Sequence, residues 1–96
     1  MTAQGRKIVG IGETVLDIVF RDGKPEAAVP GGSVFNTMVS LGRTLGKLHP
    51  ETILIMASQT GDDPVSDMIL DFMRRNNLDT GGIQRGHGQS TVSMAL

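Results

Sequence analysis

The stretch VPGGSVFNTMVSLGRTLG, residues 29–46, decides the fold. Gly31 and Gly32 stand directly before a helical pattern that opens at Ser33 and closes at Gly46. Val34, Phe35, Met38, Val39, Leu41 and Leu45 recur close to the helical period. Ser33 is the expected N-cap and Gly46 the expected stop. An ordinary turn needs one glycine. Two would let the backbone come close to a ligand and expose the first N–H groups of the helix. Asn36 falls one turn in, where asparagine is a poor helix former, yet its amide offers both a donor and an acceptor. The plain alternative is a surface asparagine beside an ordinary loop.

Working outward, KIVGIGETVLDIVF (residues 7–20) reads as a strand, a glycine break and a second strand arm. Asp22-Gly23 is a strong hairpin signal. PEAAVP then returns as a weaker arm, which Pro25 and Pro30 confine to a sheet edge. GIGET begins like a dinucleotide-binding fingerprint, but Val15 takes the last glycine position and strand residues follow where a helix is required, so that reading is rejected. Asp17 sits between β-branched and aliphatic neighbours, where an unpaired charge is costly. Either it lies on a solvent-facing edge, or it is a carboxylate at the mouth of a pocket.

Downstream, TILIMAS (residues 52–58) is a nearly continuous apolar run, as in a buried parallel strand. In GDDPVSDMILDFMRRNN, Asp63 is the expected N-cap and Pro64 the first helical residue. Val65, Met68, Ile69, Phe72 and Met73 line one helical face, Arg74 and Arg75 complement the macrodipole, and Asn76 or Asn77 closes the helix. TGGIQRGHGQS holds a short strand at most, and TVSMAL (residues 91–96) reads as a strand. His49 and His87 are solitary and expected at the surface, and the methionines at helical spacing are expected in the core. The order, β-hairpin-α-β-α-β-β, argues an α/β fold with a mostly parallel sheet.

Composition narrows the function. With 96 residues the chain suits one small domain or part of a larger one. A net charge of -1 disfavours nucleic acid as a partner. No apolar run approaches the roughly 20 residues that span a bilayer, so no membrane partner is expected. The absence of cysteine excludes a disulfide framework and thiolate metal sites, and fits a cytoplasmic location.

Taken in order, GETVLDIVF, PGGSVFNTMVSLGRTLG, ASQTGDDPVSDMILDFMRRNNLD and STVSMAL resemble the N-terminal region of the ribokinase-like (PfkB-type) carbohydrate kinases. The resemblance runs over nearly the whole chain from Lys7. It implies the N-terminal part of a three-layer α/β sandwich with a β-hairpin lid at about residues 15–30, so that residues 1–96 are a fragment of a single sugar-kinase domain. It also implies substrate-binding roles for Asp17, Gly31, Gly32 and Asn36, and a homodimer through the lid hairpin. Gly61 and Asp63 match a G-x-D turn with a mainly structural part, and Ser66 stands where a second glycine is usual. The family's G-A-G-D-type segment, which supplies the anion hole and the base, is absent. The resemblance therefore places no catalytic residue in this chain, and it assigns ATP and Mg2+ to the complete enzyme. The expected function is the sugar-binding and lid portion of an ATP-dependent carbohydrate kinase that moves the γ-phosphoryl group to a sugar hydroxyl. The alternatives are a nucleoside kinase of the same family and a non-catalytic sugar-binding or dimerisation module.

Overall fold

The computed structural model describes residues 5–86 and 88–95. His87 and Leu96, on which sequence expectations fell, lie outside them. Eight elements follow one another: β1 (Lys7–Ile11), β2 (Val15–Arg21), β3 (Lys24–Gly31), α1 (Ser33–Leu48), β4 (Ile53–Gly61), α2 (Pro64–Arg75), β5 (Ile83–Gly86) and β6 (Val92–Ala95). They form two three-stranded sheets rather than one. The core sheet, β1-β4-β5, is wholly parallel. The second, β3-β2-β6, joins the antiparallel hairpin to a parallel partner strand.

The hairpin turns as its residues require. Asp22 and Gly23 both take positive φ, 52° and 75°, the combination a type I′ turn needs. Pro25 and Pro30 leave β3 at a sheet edge, where their missing donors cost no ladder bond.

Both helices pack on one face of the core sheet. Phe35, Met38 and Val39 of α1 meet Leu54 and Met56 of β4 and Ile69, Leu70 and Met73 of α2 in a single buried cluster. Fully burying a side chain of this size contributes about 1.5–3 kcal/mol. Of the methionines at helical spacing, Met38 and Met73 are in the core as expected, but Met68, expected on the buried face of α2, is exposed; Met56 of β4 is also buried and Met94 of β6 is exposed. The opposite face of the core sheet is bare. Val9, Ile11 and Ile53 alternate with the inward residues and are 53%, 78% and 40% exposed. A parallel sheet is ordinarily covered on both faces, so the described residues form two of the three layers of a sandwich.

The helix ends correct the sequence reading in two places. Gly32, not Ser33, is the N-cap of α1 (φ 123°, ψ 148°), and Ser33 is the first helical residue. Only glycine takes that φ without strain. At the other end α1 continues past Gly46 to Leu48, with His49 as its C-cap. Gly46 serves close packing instead, since an added Cβ would collide with the Asn77 amide. In α2, Asp63 caps through Ser66 N (2.9 Å), with Pro64 at the first turn. That helix closes in a Schellman motif. Asn77 is left-handed (φ 64°), Leu78 N bonds Met73 O at 2.9 Å, and Asn77 N bonds Arg74 O at 3.2 Å.

Candidate substrate site

Asp17 lies in the middle of β2, half-buried, opposite Val29 on β3 and Ser93 on β6. The Ser93 hydroxyl donates a hydrogen bond to Asp17 Oδ1. The other carboxylate oxygen faces Gly31. A Cβ at position 31 would lie 2.8 Å from Asp17 Oδ2 and 3.8 Å from Asn36 Oδ1. Asp17 and Asn36 therefore flank the Cα of Gly31, and a side chain there would displace the carboxylate.

The two glycines thus have different physical reasons. Gly31 leaves room for Asp17. Gly32 takes a positive φ and passes close to the Glu13 carbonyl, where a Cβ would clash. Asn36 uses its backbone N–H inside the helix, bonding Gly32 O at 2.8 Å, and leaves its amide at the surface. Gly32 has no side chain with which to cap α1, and the first turn carries no acid. The positive end of the helix is therefore uncompensated locally. A carboxylate acceptor, an amide of mixed character and helix N–H donors meet at one place. That set suits a ligand that both donates and accepts hydrogen bonds, as a hydroxyl does.

Beside this group a cleft of about 560 Å³ opens beyond the carboxyl end of β1, against the middle of β4 and the start of β5, lined by Gly12, Glu13, Thr14, Ser58, Gln59 and Gln84 among others. Open α/β sheets bind ligands at this end of their strands. Thr14 is 4% exposed, and among the described residues its hydroxyl has no hydrogen-bond partner. Sequence reasoning passed over Thr14, since a threonine between two strands is common. It also passed over Ser93, because only the pairing of β6 with β2 brings residues 76 positions apart together.

The G-x-D turn is more tightly bonded than an ordinary cap. Asp63 accepts from Ser66 N, from Ser90 N at 2.8 Å and from Ser90 Oγ at 2.7 Å. The Ser90 backbone bond foremost, then its hydroxyl and the Ser66 N–H, hold the Asp63 carboxyl below its ordinary value, with Arg85 adding a smaller attraction against partial burial. Arg85 also pairs with Asp62 and Asp67, each at 2.9 Å, exposed contacts of little net worth. Ser66, standing in place of the usual glycine, is fully buried and shares a 2.6 Å hydrogen bond with Thr60, so its hydroxyl is satisfied. Among the described residues no group of three His, Cys, Asp or Glu side chains could hold a metal ion. No helix there is long and apolar enough to cross a membrane.

No family model matches the chain, and no curated protein matches it. Solved structures do. An uncharacterized sugar kinase from Pyrococcus horikoshii superposes with a TM-score of 0.75 over 90% of this chain, at 24% identity. Aminoimidazole riboside kinase from Salmonella enterica, solved with aminoimidazole riboside and an ATP analogue, gives 0.78 over 93% at 22% identity. Fructokinase from Vibrio cholerae O395, holding fructose, ADP and a calcium ion, gives 0.78 over 96% at 16% identity. The chain covers 30%, 28% and 28% of those three chains. The fold is therefore that of the N-terminal part of the ribokinase-like kinases. These neighbours are sugar and nucleoside kinases.

Proposed function

We propose that this chain is the sugar-binding and lid portion of an ATP-dependent carbohydrate kinase. The observation that carries the reading is the meeting of Asp17, Gly31 and Asn36 at the uncapped start of α1. In this reading Asp17 accepts hydrogen bonds from sugar hydroxyls, Asn36 bonds another, and the backbone at Gly31 and Gly32 lets the sugar approach. The hairpin β2–β3, with β6 beside it, closes over the sugar and excludes water from phosphoryl transfer, and the same hairpin pairs two copies of the chain. The bare face of the core sheet belongs against the remainder of a kinase-length protein, which the matched structures exceed this chain by enough to supply.

The start of α2 is occupied by its own cap, the Asp63 carboxylate. ATP, Mg2+ and the transfer step belong to the rest of the kinase-length protein. A riboside is the second reading of the substrate, favoured by the likeness to aminoimidazole riboside kinase.

An ATP-consumption assay with a panel of hexoses, pentoses and ribosides tests the proposal. The 96-residue chain should not turn over ATP, and a kinase-length protein carrying this segment should, with one sugar class preferred. A kinase-length protein that binds a sugar without consuming ATP would establish the non-catalytic module instead.

A further inference from the structure

We propose that Asp63 positions Asp17 from across the molecule, through the segment of residues 90–93. Each link is a contact. Asp63 holds both the backbone N–H and the hydroxyl of Ser90, and the same hydroxyl accepts from Gly61 N at 3.0 Å. One residue on, the Thr91 carbonyl accepts from Leu16 N at 2.9 Å. Val92 then pairs with Leu16 and Ser93 with Asp17, whose carboxylate receives the Ser93 hydroxyl.

The segment has little else to hold it. β6 is four residues long and lies at a sheet edge with β2 as its neighbour. Val92 and Met94 are 44% and 66% exposed, so burial fixes the strand only weakly. Gly88, before it, brings no side chain to pack. The fixed point nearest β6 is the Asp63–Ser90 clasp, itself anchored to the start of α2. Asp63 is thereby a positioning residue. It sets where Ser93 stands, and Ser93 sets which oxygen of Asp17 faces Gly31 and Asn36. The consequence for substrate rests on reading Asp17 as a sugar ligand; the mechanical link does not.

Ser90→Ala weakens the link without touching the helix cap, because it removes the two hydroxyl bonds and leaves the Asp63 carboxylate on the backbone N–H groups of residues 66 and 90. Amide hydrogen exchange on the 96-residue chain is the measurement. Loss of a hydrogen bond to a charged group should speed exchange at Leu16 by about ten- to a hundredfold, while Ile69 and Leu70 in α2 keep their rates. Ser90→Thr, which retains the hydroxyl, should restore slow exchange at Leu16. Unchanged exchange at Leu16, or equal acceleration in α2, overturns the link. In a kinase-length protein, Ser90→Ala should raise the sugar KM and leave the ATP KM alone; equal rises in both overturn the positioning role. Exchange at Leu16 decides the link whatever Asp17→Ala does to sugar binding, so the two readings fail separately.

Discussion

Asp17 shares β2 with Leu16 and Ile18, and only half of it is shielded from water. Its charge is supported by the Ser93 hydroxyl on one oxygen, and the other oxygen is turned toward the gap left by Gly31. Replacing it removes a charged acceptor from the proposed sugar contact. A hydrogen bond to a charged group contributes about 1.5–3 kcal/mol, so Asp17→Ala in a kinase-length protein should raise the sugar KM by roughly one to two decades. Asn36→Ala should act in the same direction and less strongly, since its amide is neutral. Steady-state kinetics with each substrate varied in turn checks both. A sugar KM unmoved by Asp17→Ala removes Asp17 from the site. At this scale the doubled glycine before a helix is a local signal that singled out Gly31, Gly32 and Asn36. The residues alone left Asp17 between a solvent-facing edge and a pocket mouth, and only the family resemblance joined it to them; the structure sets Asp17 and Asn36 on either side of Gly31. Ser93, Ser90 and Thr14 left no such signal. Their importance depends on strand pairing, and the register between distant strands is set by packing that no short window contains.

Among the elements, α2 was the most legible, since its cap, its first proline and its apolar face are all local patterns. The start of α1 was misread for a definable reason. Serine is a favoured cap residue, but the chain enters this helix at a φ of 123°, which selects Gly32. Likewise a glycine near a helix end can mark a stop or a close approach, and Gly46 is the second kind. The cap of α2 also predicts a pH dependence. The Ser90 N–H and hydroxyl and the Ser66 N–H hold the Asp63 carboxyl pKa below its ordinary value. A depressed folded-state value means stabilisation that is fully present above the unfolded value and is lost as pH falls through the folded one. The urea midpoint of the chain should therefore decline on acidification below the ordinary carboxylate range. Asp63→Asn keeps a competent cap but has no charge to lose, so its decline should be shallower. Urea titrations of both proteins at neutral and acidic pH give the comparison, and equal slopes would remove Asp63 as the source.

The whole molecule is more extended than its length requires. Its radius of gyration is 14.5 Å, against about 13 Å for a compact domain of roughly 100 residues. The second sheet contributes to this, because β3 is exposed along most of its length. The alternation of β-strands places Leu16 and Ile18 of β2, Ala28 and Pro30 of β3, and Val92 and Met94 of β6 on one face. Sequence patterns gave the hairpin but not this face, since β6 reaches it only through pairing with β2. Leu16 and Pro30 are already buried within the chain, whereas Val92 and Met94 stay exposed and leave that part of the face to a partner surface. A second copy supplies the same face, so a two-fold arrangement satisfies both chains at once. The dimer proposed for the hairpin should accordingly depend on Ile18 and on Phe20, which are half-buried in the single chain. Changing both to Asp puts two charges per chain into the contact, where an unpaired buried charge is costly. The wild-type chain should scatter light as a dimer at high micromolar concentration, and the double variant as a monomer. Circular dichroism must show the same helix content in both, because α1 and α2 are joined through the buried cluster on the core sheet, to which neither Ile18 nor Phe20 belongs. A wild-type monomer at that concentration would exclude the hairpin contact and leave the sheet to act as a lid on its own chain.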